Sequence, residues 1–138
     1  MQRSTFARLT TALLAAYWLA MFVGTHTPST PHVIDGHGDK LLHFLGYGGL
    51  AALCGIAWTS NDRAGGRLSL KQCALIVLGL AVYGALDEVT QIPVGRSCEF
   101  LDWVADVVGA GMGIVGAKLL VTAALLLLNV GERTASSS

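Results

Sequence analysis

Four long apolar segments constrain this chain more than any other feature. They lie at about 9–25, 41–58, 71–91 and 102–128. A transmembrane helix needs about 20 mostly apolar residues to cross a bilayer core, and all four meet or approach that length. Only 13% of the residues are charged and 53% are hydrophobic, with mean hydropathy +0.59. Soluble domains carry about 25% charged residues, so this balance points to an integral membrane protein. The expected fold is all-α: a four-helix membrane bundle forming one domain over 1–130, followed by a polar, disordered tail at 131–138.

The first segment follows Arg3 and Arg8 and has the outline of a signal peptide. It lacks a small-residue cleavage pattern, since Phe22-Val23-Gly24-Thr25 offers no A-x-A. It is therefore read as an uncleaved first helix. Four crossings put both termini and the Thr59–Leu70 loop on one side. That side holds Arg3, Arg8, Arg63, Arg67, Lys71, Lys118 and Arg133, seven of the nine basic residues. The other side holds only Lys40 and Arg96. The excess of Lys and Arg marks the cytoplasmic face, so both termini are expected in the cytoplasm. The expected location is the inner membrane of a bacterial cell.

Formal net charge is +0, which gives no electrostatic footprint for nucleic acid. Cys54, Cys73 and Cys98 are odd in number and show no disulfide or metal spacing. They read as small buried residues or spectators.

The topology gathers polar residues from three segments on the outer face. Asp39, Lys40 and His43 open the second helix. Asp87, Glu88 and Gln91 close the third. Asp102 and Asp106 open the fourth, and a Pro93–Ser97 turn carrying Arg96 joins the last two. Asp39 to His43, Asp87 to Gln91 and Asp102 to Asp106 are each four residues apart, so each pair shares a helix face. Ionisable groups at membrane depth cost several kcal/mol unless paired, and commonly mark function. Asp87 and Glu88 point about 100° apart, so one of them is expected to face water. Asp35, Glu99 and the loop histidines His26, His32 and His37 are expected to be solvated. Lys118 is expected to snorkel or to partner a buried acid. Ala105, Gly109, Gly113 and Ala117 recur every four residues, a seam that lets another backbone approach. That backbone belongs either to this bundle or to a second copy in a homo-oligomer.

These motifs resemble the VanZ-like family of small bacterial membrane proteins. The resemblance rests on D-K-L-L-H-F-L-G-Y at Asp39–Tyr47, G-A-L-D-E-V-T-Q at Gly84–Gln91, G-R-S at Gly95–Ser97 and D-W-V-A-D-V-V-G at Asp102–Gly109. It covers the core from Asp39 to Gly109, in order. The family's name-giving member is associated with glycopeptide (teicoplanin) resistance, so the resemblance implies envelope biology but no particular reaction. It carries over Asp39, Lys40, His43, Asp87, Glu88, Gln91, Arg96, Ser97, Asp102 and Asp106 as the polar site.

Three functions fit these residues. The first is an accessory protein binding an envelope lipid or its phosphate head group. Arg96 would act through its fork and Lys40 as a point charge, and an oxygen-rich site is compatible with a divalent cation. The second is an enzyme of those lipids or of peptidoglycan precursors, using His43 with Asp39, or Asp102 with Asp106, as acid–base pairs. No nucleophile constellation, Gly-rich phosphate loop, zinc motif or cofactor motif is evident. The third is a proton or cation relay, for which no internal repeat is visible.

Overall fold

The computed structural model describes residues 3–27, 36–62, 66–96 and 98–135. Four α-helices follow one another: α1 (Arg3–Thr25), α2 (Gly36–Asn61), α3 (Leu70–Gln91) and α4 (Phe100–Ala135). A single 3-10 turn, Ile92–Val94, follows α3. No strand occurs among the described residues. All four α-helices are long and apolar enough to cross a membrane. Helix suits that setting because it satisfies its own backbone hydrogen bonds where no water can.

Three of the helices overrun their apolar segments, while α3 matches its own to within one residue. α1 begins at Arg3 rather than 9, α2 spans Gly36–Asn61 rather than 41–58, and α4 runs from Phe100 to Ala135 rather than 102–128. Apolar length reports the part of a helix that suits lipid. The backbone stays helical through the polar turns beyond it. The start of α3 has a local cause in a capping box. Ser69 Oγ accepts the Gln72 backbone N–H at 3.2 Å, and Gln72 Oε1 accepts the Ser69 N–H at 2.8 Å.

Consecutive helices run antiparallel, so the end of α1, the start of α2, the end of α3 and the start of α4 meet at one end. α2 is the hub, packed mainly on α4 and in contact with α1 and α3. The seam predicted on α4 is what lets it sit so close. A Cβ on Gly109 would run into the backbone carbonyl of Phe44, and one on Gly113 into that of Gly48. α2 thus occupies this face within the protomer. On its other side α2 meets α1, where Gly49 lies beneath the Tyr17 ring and Tyr17 Oη donates to the Gly46 carbonyl at 3.2 Å.

α1 is held to the bundle by polar contacts at three levels. At the far end Thr10 Oγ1 lies 2.7 Å from Ser60 Oγ, and Asn61 Nδ2 donates to Thr11 Oγ1 at 3.1 Å. Tyr17 supplies the middle level. Thr25 and His26 supply the third.

The interior is unlike that of a water-soluble bundle. Its most completely buried large side chains are Tyr47, Leu50, Gln91 and Asp106, while Leu13, Leu19, Leu78, Leu119 and Leu120 are exposed. An apolar exterior around a core that mixes apolar residues with buried polar ones suits lipid as solvent.

Candidate functional site

The meeting end of the helices carries the polar residues, in two layers. The outer layer consists of ion pairs. Lys40 Nζ lies 3.0 Å from Glu99 Oε2 and 3.1 Å from Asp102 Oδ1. The first is an aligned hydrogen bond. The second sets the same ammonium against a buried carboxylate oxygen. Arg96 donates from Nη2 to Asp39 Oδ1 at 3.2 Å. Gly95 makes this contact reachable. It takes a left-handed φ of 81° that favours glycine, and the turn closes through Gly95 N–H to Ile92 O at 3.1 Å and Arg96 N–H to Gln91 O at 3.2 Å.

The inner layer lies one turn deeper. His43 and Asp106 are buried, and His43 Nδ1 is hydrogen-bonded to Asp106 Oδ1 at 2.9 Å. Gly84 makes room for this pair, since a Cβ there would stand 3.0 Å from Asp106 Oδ2. Glu88 approaches from α3, with Oε1 3.8 Å from His43 Nδ1. Its other oxygen, Oε2, accepts the backbone N–H of Glu99 at 2.9 Å. That bond satisfies a donor at the start of α4, where a carboxylate also meets the positive end of the helix dipole.

Asp87 faces a different neighbour. It accepts from Gln91 Nε2 at 3.0 Å, from Thr25 Oγ1 at 3.3 Å and from Tyr83 Oη at 3.5 Å. The expectation that either Asp87 or Glu88 faces water is therefore wrong, as both are 3% exposed. The 100° between them is real. α3 has neighbours on two sides, and Asp87 points to α1 while Glu88 points to α2 and α4.

The loop-histidine expectation also needs correction at His26. Its ring stacks on Phe22 at 4.0 Å, its Nε2 lies 3.0 Å from Thr90 Oγ1, and its side chain is 15% exposed. Thr25, His26 and Thr90 were not expected at the site. Their one sequence signal is position at helix ends on the same face as Asp87. Glu99 is half exposed and paired with Lys40 rather than fully solvated. Lys118 is half buried, twelve residues along α4 from Asp106 and so about 18 Å away along the axis. It partners no acid of this site. Ser97, His32, Asp35 and Arg63, and the side chain of His37, lie outside the described residues.

Compared with family models, curated proteins and solved structures, the chain matches none. The geometry carries the site. Of the ten residues predicted, Asp39, Lys40, His43, Asp87, Glu88, Gln91, Arg96, Asp102 and Asp106 lie at one end of the bundle and join in the contacts above. Gln91 serves Asp87 rather than the inner layer.

A cleft of about 210 Å³ opens beside this cluster. Met21, Gly24 and Thr25 of α1 form one wall and Leu42 and Gly46 of α2 the other, with Asp39, His43 and Arg96 also lining it. It thus combines an apolar flank on two membrane-length helices with an imidazole and a guanidinium paired to the Asp39 carboxylate. The lining offers apolar contact along its flank and charged groups of both signs at its polar end.

Proposed function

We propose that this protein is an accessory membrane protein that binds an envelope lipid through its phosphate head group. The observation that carries this reading is the cleft between α1 and α2. Its flank of Met21, Leu42 and Gly46 suits a hydrocarbon chain, while Arg96 and His43 offer nitrogen donors to a head group. A guanidinium recognises phosphate through two parallel N–H donors. Asp39 already orients Arg96, so the phosphate would compete with or share that partner. On this reading the chain is a VanZ-like protein of the bacterial cytoplasmic membrane. Its termini are cytoplasmic, its polar end is extracytoplasmic, and its role lies in envelope biology. The test is equilibrium binding of a polyprenyl phosphate to detergent-purified protein. Arg96→Ala should lower affinity by about tenfold or more, the scale of a charged hydrogen bond of about 1.5–3 kcal/mol. Unchanged affinity in a folded variant would sink the reading.

The 2.9 Å contact between His43 and Asp106 favours a second reading, an enzyme acting on the same lipids or on peptidoglycan precursors. A carboxylate that orients an imidazole is the arrangement of a general base. Turnover of a labelled lipid substrate, lost in folded His43→Ala, would establish it. Binding without turnover would exclude it for that substrate.

A further inference from the structure

We propose that His43, Glu88 and Asp106 form a binding site for one divalent transition-metal cation, of the Mn²⁺ or Zn²⁺ class. Each residue offers one donor atom, and the three donors lie within 4.8 Å of one another. Donors about 2.1 Å from a shared ion stand roughly 3–4 Å apart, so small side-chain movements complete the set. Proximity alone would not carry a site. The second observation is an orphaned oxygen. The Glu88 side chain is only 4% exposed, its Oε2 is used at the start of α4, and its Oε1 has no hydrogen-bond partner among the described residues. That Oε1 is aimed at the cluster, 3.8 Å from His43 Nδ1. Asp106, with a 1% exposed side chain, likewise has one oxygen on His43 and the other, Oδ2, without a hydrogen-bond partner among the described residues. Buried polar atoms without partners are uncommon, and an ion is one of the things that satisfies them.

Charge points the same way. The inner layer sets two buried carboxylates against a single imidazole. Lys40 and Arg96 are engaged one layer out, with Glu99, Asp102 and Asp39. This also separates the proposal from a neighbouring triad, Asp39, His43 and Asp102, whose donors are equally close. Both carboxylates of that triad already face a cation; those of the inner triad do not. The mixed imidazole and carboxylate set suits first-row metals better than calcium or magnesium, which favour all-oxygen ligands. If His43 Nδ1 carries a proton to Asp106, ligation by Nδ1 requires that proton to leave, so uptake would release protons. His43 lines the cleft, which supplies a route for the ion. The inference does not depend on the lipid reading.

The test uses the full chain in detergent, stripped with a chelator and then titrated with MnCl₂ or ZnCl₂ alone. Calorimetry should show one ion per chain. His43→Ala, Glu88→Gln and Asp106→Asn should each weaken binding by at least about tenfold, while Asp62→Asn at the opposite end should not. Bound Mn²⁺ in the unmutated protein should show electron–nuclear coupling to an imidazole nitrogen. That readout stands even if a variant fails to fold. Absence of stoichiometric uptake would overturn the proposal and would mean that protons alone neutralise the inner layer. Uptake without nitrogen coupling, or undiminished in folded variants, would equally overturn it and would mean ions scattered on surface carboxylates.

Discussion

Replacing Gly113 by alanine is the sharpest test of how α2 and α4 pack. A Cβ at position 113 would stand 2.7 Å from the Gly48 carbonyl carbon and 2.9 Å from its Cα, and closer still to its oxygen. Carbon atoms pack best at about 3.5–4.0 Å, so the two helices must part locally by about 1 Å. The obstacle is backbone and cannot rotate aside. Overpacking of this kind costs about 1–3 kcal/mol, and backbone against backbone belongs in the upper part of that range. A gap of about 1 Å would forfeit up to about half of the dispersion energy of the contacts around it. The control lies on the same helix. Cβ atoms at Gly111 and Gly116 would meet nothing within 4 Å, so alanine there should give only its helix-propensity gain of about 1 kcal/mol. Gly113→Ala receives the same gain, and the difference between the variants isolates the clash. It should be about 2–3 kcal/mol, or roughly 30- to 150-fold in the folded-to-unfolded ratio. Denaturant titration in mixed micelles, followed by tryptophan fluorescence, would measure it. Equal unfolding midpoints for Gly113→Ala and Gly111→Ala would refute the proposed packing.

Two further outcomes follow from the site. Asp87 accepts from Thr25 and Gln91 while buried, so Asp87→Ala should cost about 2–3 kcal/mol by leaving partners unsatisfied. Glu99→Gln, in a half-exposed pair, should cost less than about 1 kcal/mol; the same titration would compare them. Cys98 is exposed at the polar end, whereas Cys54 and Cys73 are partly buried within helices. A membrane-impermeant thiol reagent should therefore label Cys98 in intact cells. Labelling only after permeabilisation would reverse the proposed orientation.

Much of this arrangement was legible in the amino-acid sequence, for physical reasons. Bilayer thickness sets a minimum length for an apolar helix, so four spans could be counted without coordinates. Even crossings then bring Asp39–His43, Asp87–Gln91 and Asp102–Asp106 to one end. Other features depend on neighbours that spacing along one helix does not encode. Asp87 and Glu88 are both buried because α3 is flanked on two sides. His26 looked like a loop residue, yet it reaches Thr90 on α3 and packs on Phe22. The Ala105–Ala117 seam announced close backbone contact, but only the packing shows that α2 supplies it. Helix ends were underestimated because hydropathy falls away before the backbone stops being helical.

On the proposed function, the cleft between α1 and α2 holds a lipid with its phosphate at Arg96. Site-specific photo-crosslinking to a radiolabelled polyprenyl phosphate in membranes tests it most directly. A photoreactive residue replacing Leu42, which lines the cleft, would be compared with one replacing Leu78, exposed on α3 and absent from the cleft lining. Strong labelling is expected at position 42, removed by Arg96→Ala, with only background at position 78. Equal labelling at the two positions, unaffected by Arg96→Ala, would contradict it.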